Sequence, residues 1–361
     1  MALKLIPKIS ILSETQKTFA EKIFAYFGKG KRHASLLYSQ WFRKGHLEGL
    51  RERCEPQAQA LLDQILLLTD FSFAEPSSLK QEGQTWKFLL KSADGLETES
   101  VLIPMEAGPT LCVSSQIGCR MGCAFCETGR MGLIRHLRAK EIVAQLFYAR
   151  FCLKQPVRNI VFMGMGEPLD NFEEVIQAIR IFAEPKGFGF GLRHITLSTS
   201  GDVPAIYRFI EEASPAVNLA VSVNAPNDEI RNRLMPVNRR WDMQALKEAM
   251  QVYCSRLQRE ILIEYVLIKD VNDSKACAEQ LADYLKGINV KVNLIAYNPQ
   301  SKDRFSPPSF QAIEEFLRCL RERGIQALLR YPKGQGIMAA CGQLGNVKLR
   351  GELSRKKTAI N

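Results

Sequence analysis

From Glu99 onward the chain alternates short apolar runs with amphipathic ones, and this alternation limits the possible fold more than any other feature. The strand-like runs cover residues 110–114, 159–163, 194–200, 218–224, 262–268, 291–297 and 326–330. Helix-like segments fall between them at 140–151, 172–183, 204–212, 243–257, 276–286 and 310–323. Strands joined by crossover helices lie parallel and bury both faces of their sheet, so the pattern predicts an α/β protein with helices outside a parallel sheet. Six or seven repeats suit a partial or complete β/α barrel, while pattern alone leaves a doubly wound sheet open. In a barrel the chemistry belongs at the C-terminal ends of the strands.

The first ninety or so residues read as helical. Ser13 and Gln16 have the spacing of a capping box, Phe19, Ile23, Phe24 and Phe27 recur at helical intervals, and a second helix-like segment covers 58–68. A chain of 361 residues can bury one large core plus a smaller module. The division expected is a helical accessory domain over 1–95, a catalytic domain over 96–348 and a basic tail over 349–361. Lys29, Lys31, Arg32, His33, Arg43, Lys44 and His46 mix with Tyr26, Phe27, Tyr38, Trp41 and Phe42, a composition suited to phosphate contact and base stacking or to a solvated face over a small core. The net charge of +11 favours a polyanionic partner. No apolar run approaches the ~18 residues of a membrane span, and lysines and a proline interrupt the N-terminus before an apolar signal region forms. The expectation is a cytoplasmic protein, in which ten cysteines are not a disulfide framework. Cys54, Cys152, Cys254, Cys277 and Cys319 fall in helix-like stretches as small buried residues.

Cys119, Cys123 and Cys126 are clustered instead, in Cys119-Arg-Met-Gly-Cys123-Ala-Phe-Cys126 after the first strand. A structural zinc site would need a fourth ligand, and Cys112 and His136 do not stand at a familiar zinc spacing. Three cysteines can hold a [4Fe-4S] cluster with one iron left open, and that iron can chelate the amino and carboxylate groups of S-adenosyl-L-methionine. This spacing, with an aromatic residue before the last cysteine, resembles the radical S-adenosylmethionine superfamily. After the second strand the chain reads Gly164-Met-Gly166-Glu167-Pro168, where glycines let backbone approach a ligand and a carboxylate can receive its amino group.

Two further cysteines lie in Pro109-Thr-Leu-Cys112-Val-Ser-Ser-Gln116 and Met338-Ala-Ala-Cys341-Gly-Gln-Leu344. With the cluster loop, these segments resemble the RlmN/Cfr family of radical S-adenosylmethionine RNA adenine methyltransferases over roughly residues 95 to 346. The resemblance implies a partial (β/α) barrel with a small helical N-terminal accessory domain. It implies methylation of an adenine ring carbon, C2 before C8, in 23S rRNA and in tRNA. An aromatic C–H carbon is a poor nucleophile, so a cysteine takes the methyl group first and a radical then activates it for attack on the base. By resemblance Cys341 carries the methyl group, Cys112 resolves the protein–RNA adduct by forming a disulfide bond, and Glu99 accepts the ring proton. Gly166, Glu167, Ser198, Ser222, Val223, Asn224 and Asn298 match cofactor contacts at strand ends. The implied partners are RNA and an electron donor such as flavodoxin or ferredoxin, with the enzyme a monomer. The chain departs from the family with Asn224 in place of histidine and with Gly334-Gln-Gly-Ile-Met338 in place of an acidic segment. A radical maturase of a protein or small molecule, and a zinc-stabilised RNA-binding module, are the competing classes.

Overall fold

The structure is a computed structural model that describes residues 7–346, apart from 215 and 301–303, together with Leu349. Most of the basic tail over 349–361 therefore lies outside the described residues. The central sheet has ten strands among the described residues: β1 (Glu75–Glu82), β2 (Thr85–Lys91), β3 (Glu97–Ile103), β4 (Thr110–Cys112), β5 (Asn159–Phe162), β6 (Ile195–Thr199), β7 (Asn218–Ser222), β8 (Ile261–Leu267), β9 (Val290–Ala296) and β10 (Gln326–Arg330). From β4 to β10 every neighbour is parallel and follows in chain order. The order never reverses, so the switch point of a doubly wound sheet is missing and the open alternative falls. The sheet curls on itself: Arg330 Nη1 on β10 lies 3.8 Å from Met163 Sδ, just past β5. This is a partial (β/α) barrel.

The crossover helices lie outside it: α5 (Ala139–Phe147), α6 (Phe172–Ala183), α7 (Val203–Glu212), α9 (Met243–Leu257), α10 (Lys275–Leu285) and α11 (Phe310–Glu322), with the short α4 (Glu127–Met131) and α8 (Asp228–Leu234) in loops. Their ends follow their caps. Asp202, Asp242, Ser274 and Ser309 each accept a hydrogen bond from a first-turn amide of α7, α9, α10 and α11, satisfying donors the helix leaves open. On α11, Ile313, Phe316, Leu317 and Leu320 are the buried stripe at intervals of three and four. No helix among the described residues is long and apolar enough to cross a membrane.

The N-terminal ninety residues are only partly helical. Three helices form, α1 (Gln16–Phe27), α2 (Lys31–Lys44) and α3 (Pro56–Leu68), but the capping box on α1 is Thr15 with Thr18 rather than Ser13 with Gln16. Residues 75–91 are not helical: β1 and β2 form an antiparallel hairpin that extends the barrel sheet through β3. Gly83 at φ 57° makes its turn, and Thr85-Trp-Lys-Phe has the aromatic and β-branched character of a strand. The helices share the barrel's core as well, with Trp41 stacked on Phe147 at 4.8 Å and Phe42 against Phe188 at 4.9 Å. Tyr38, Trp41 and Phe42 thus face inward, and Tyr26 and Phe24 are the exposed aromatics of this region. Among the scattered cysteines Cys319 is buried, Cys54, Cys254 and Cys277 are half-buried, and Cys152 is exposed where α5 ends in a π turn.

Candidate functional site

A cavity of about 160 Å³ opens at the C-terminal ends of the parallel strands. Glu167 follows β5, Ser198 ends β6, Ser222 and Asn224 end β7, Glu264 lies on β8, and Cys341 reaches in from the last loop. Cys119, Cys123 and Cys126 line the same cavity. Gly118, at φ 75°, lets their loop begin, since a Cβ there would collide with the Gly132 carbonyl oxygen. Phe125 lines the cavity too and packs in an apolar nest with Leu234, Met235, Val237, Ile268 and Tyr297, which anchors the loop between its second and third thiols.

Desolvation raises all three thiols above the ordinary range, Cys123 to about 12, and neighbouring thiols raise Cys119 and Cys123 further. Three thiols crowded in one dry pocket cannot ionise together unless a cation joins them. Among the described residues no three His, Cys, Asp or Glu side chains are placed to hold a single metal ion. A cluster gives each thiolate its own iron and so suits a wider triangle than a mononuclear site does. Glu264 Oε2 is buried without a hydrogen-bond partner, 4.0 Å from Arg330 Nη1, and offers an acceptor to a ligand in the cavity. The donor set and this orphaned oxygen both fit an iron–sulfur cluster with a polar co-ligand.

The expected cofactor contacts divide into two groups. Ser198, Ser222, Asn224, Gly166 and Glu167 line the cavity. Gly166 is required sterically, because a Cβ at φ 100° would stand 2.5 Å from Gln116 Cβ. The Glu167 carboxylate accepts from Ser200 N and Oγ at 2.8 Å and from Leu169 N at 3.2 Å, while burial pushes its pKa up to about 7. Asn224 has φ 54°, a left-handed backbone that asparagine tolerates. Its amide accepts from Val266 N at 2.8 Å and donates to Met235 Sδ at 3.3 Å, so both ends are used where the family carries histidine. Val223 is not brought to the cavity: its side chain is fully buried, its N–H donates to the Glu264 carbonyl and its carbonyl accepts from Arg231. Asn298 also turns elsewhere, donating to the Cys341 carbonyl at 3.1 Å and accepting from Gln335 at 2.8 Å.

The loop bearing Cys341 is fastened to the cluster loop. Glu127 N donates to the Gly342 carbonyl at 2.8 Å, Thr128 Oγ1 donates to the Leu344 carbonyl, and Gln343 closes its own turn on Ala340 N. Cys341 as a residue is exposed, yet the atoms packed around its sulfur desolvate it and raise its pKa. Cys112 ends β4, buried in a small apolar cluster with Val101, Met165, Ala339 and Leu344. Burial pushes its thiol up to about 12, with the Cys341 thiol adding and the Arg330 guanidinium opposing. Cys112 thus packs against Ala339 and Leu344, on either side of Cys341 in the chain, but both cysteines are free thiols, and no disulfide joins them as the sequence reading expected. Glu99 is buried on β3 with Lys87 Nζ 2.7 Å from its Oε2; that oxygen lacks a hydrogen bond of good direction, and the pair is an ionic contact. Ser114 Oγ donates to the Glu99 carbonyl at 2.6 Å and accepts from Met165 N at 2.8 Å, tying β3 to the loops after β4 and β5.

Sequence reading passed over Lys87, Arg231, Glu264 and Arg330. Arg231 is wholly buried and donates to the carbonyls of Ser200, Ser222 and Val223, fastening the ends of β6 and β7. Glu264 and Arg330 carried a signal: a charge inside an apolar strand run at the rim of a predicted barrel.

A family model described as the Radical SAM superfamily matches residues 113–285. A probable dual-specificity RNA methyltransferase RlmN 1 of Protochlamydia amoebophila is 56% identical over 98% of both chains. The dual-specificity RNA methyltransferase RlmN of Syntrophotalea carbinolica is 47% identical over 72% of this chain and 69% of its own. Among solved structures, a radical SAM methyltransferase from Sphaerobacter thermophilus superposes with a TM-score of 0.86 at 39% identity, covering 93% of this chain and 98% of that one.

Proposed function

The chain belongs to the RlmN family of radical SAM RNA methyltransferases, and from that membership we propose that it methylates C2 of adenine in 23S rRNA and in tRNA through an S-methylcysteine on Cys341. The observation that carries this reading is the pairing of two thiols outside the cluster loop: Cys341 lines the cofactor cavity, and Cys112 packs on the residues that flank it. A maturase using only the cluster would have no need of such a pair. The relatives' description as dual-specificity supports two RNA substrates.

Cys119, Cys123 and Cys126 would hold the cluster, and Glu167, Ser198, Ser222 and Asn224 would line the place of S-adenosyl-L-methionine. When bound, these groups would supply a methyl group, a hydrogen-abstracting radical and an acceptor for the one electron that the adduct gives up together with the ring proton. Cys341 takes the methyl group on sulfur and presents it to the adenine. Glu99, whose Oε2 lies 2.7 Å from the Lys87 ammonium, accepts the proton lost from the ring carbon. Cys112 then attacks the Cys341 sulfur; an S–S bond forms, the C–S bond breaks toward carbon, and that carbon gains a proton to become the methyl group. An external thiol must reduce the disulfide before the next cycle.

Cys112→Ala, reconstituted anaerobically with RNA and S-adenosyl-L-methionine, is expected to accumulate a nuclease-sensitive protein–RNA band on denaturing gels, and Cys341→Ala to give neither band nor methylated RNA. Methylation by Cys341→Ala would overturn the assignment. Mass spectrometry of nuclease-digested RNA separates C2 from C8.

A further inference from the structure

We propose that Lys87 is a positioning residue of the methyl-transfer site, holding the Glu99 carboxylate and the turn that leads to Cys341 in one fixed relation. This rests on the roles of Glu99 and Cys341 given above. Lys87 stands on β2 opposite Val101 of β3, which makes Glu99, two residues earlier, its diagonal neighbour on the same face. Its ammonium lies 2.7 Å from Glu99 Oε2 and donates to the Met338 carbonyl at 2.9 Å. The two charged side chains are only 9% and 10% exposed. Burying a lysine is costly unless it is paired, so the pair and its third partner form a built site rather than a surface contact.

The third partner extends its reach. Met338 has φ 54°, a strained left-handed conformation for an unbranched apolar residue, and it precedes Cys341 by three positions. Its turn lies on the β1–β2 hairpin: a Cβ on Gly336 would stand 2.5 Å from Glu82 Oε2, and one on Gly334 would stand 3.0 Å from Thr85 Cγ2. Gly334–Met338 is the segment in which this chain departs from the family, and here the hairpin is its bed. Asn298 holds the loop from the other side at the Cys341 carbonyl. One ammonium thus sets the distance between the proton acceptor and the methyl-carrying thiol. Without it, Glu99 would be a buried acid with no counter-charge, and the Met338 carbonyl would lose its donor.

The test uses the full chain, reconstituted anaerobically, in Lys87→Gln, Lys87→Arg and Glu99→Gln forms. Iron and sulfide content, cleavage of S-adenosyl-L-methionine, adduct on denaturing gels and methylated RNA are followed together. Lys87→Gln is expected to slow methylated product roughly tenfold or more, in the range of a lost acid–base group, and to build up adduct as Glu99→Gln does. Iron content and cofactor cleavage should stay within about twofold, because the cluster loop does not touch Lys87. Lys87→Arg keeps the charge and should recover part of the rate, its planar fork reaching the carbonyl less well. Wild-type product formation by Lys87→Gln, or a parallel loss of iron, cleavage and product, would overturn the proposal. Should the thermal unfolding curve show that Lys87→Gln does not fold, Lys87→Arg decides: partial slowing with adduct supports the role, and wild-type kinetics removes it. Adduct in Glu99→Gln but none in either Lys87 variant rejects Lys87 alone; no adduct in Glu99→Gln rejects the reading of Glu99 beneath it.

Discussion

Cys112, the thiol proposed to release the adduct, is held in its unreactive form. Burial among Val101, Met165 and Ala339 favours the neutral thiol, and the nearby Arg330 guanidinium only partly opposes it. A thiol whose pKa is pushed up to about 12 is almost wholly protonated near neutrality, and each unit of pH below that value lowers the thiolate fraction tenfold. Release of the adduct by Cys112 should therefore speed up with pH across the range of roughly 6 to 9, since only the thiolate attacks sulfur. Following the decay of the adduct band in wild-type enzyme at several pH values checks this, and a flat profile would show that another step limits release. Arg330→Gln should lower the release rate at each pH, because it removes the charge that opposes the effect of burial on the Cys112 thiol. Arg330 also stands 4.0 Å from Glu264, so iron content and cofactor cleavage need to be measured beside it.

The cluster loop owes its shape to close backbone approaches. Gly118 passes against the Gly132 carbonyl, Gly129 against the backbone of Cys123, and Phe125 sits in its apolar nest. Gly118→Ala should leave all three thiols in the chain yet bind little iron, because the added methyl group forces the two ends of the loop apart. Iron and sulfide analysis after anaerobic reconstitution reads this directly, and a full iron complement would refute the steric argument. The loop's bonds to Gly342 and Leu344 couple it to the Cys341 segment. Loss of the cluster fold should accordingly also expose Cys341 to alkylating reagents.

Across the whole molecule, the N-terminal helices are built into the barrel rather than appended to it. Trp41, Phe42 and the β1–β2 hairpin all bury surface against the catalytic half, so deleting residues 1–90 removes core and Lys87 together and gives no clean test of RNA binding. A groove of about 850 Å³ over α1 and α2 collects Lys17, Lys31, Arg32, Arg43, Lys44, Arg53 and Lys186 around Glu21. Lys186 belongs to the connection from α6 into β6, so the groove borders the rim opposite the cavity rather than leading to its mouth. If RNA phosphates lie in it, Lys31→Glu with Arg32→Glu and Arg43→Glu should weaken RNA affinity and flatten its salt dependence, by roughly one unit of log–log slope for each phosphate left without its cation. Cofactor cleavage without RNA should be unchanged. An unaltered salt slope would assign the groove to solubility alone.

The barrel was readable from the residues, as was the cysteine loop proposed to hold the cluster, because both are written locally. Short apolar runs alternating with period-3.6 stretches set the β/α units, and three cysteines within eight positions need no tertiary knowledge to be seen as one ligand set. The motifs of Cys112, Glu99 and Cys341 were likewise legible, through their resemblance to a family. Their surroundings were not. That Val223 spends both backbone groups on its neighbours, that Asn298 holds the Cys341 carbonyl, and that Lys87 reaches both Glu99 and Met338 depend on pairings across turns and between strands, up to 251 residues apart. The hairpin over residues 75–91 belongs with these, since a polar, half-exposed strand carries little periodic signal and is set by the edge it pairs with. Local chemistry chose the elements and the ligands, whereas the neighbours, burial and charge that tune them arose only when distant strands met in one sheet.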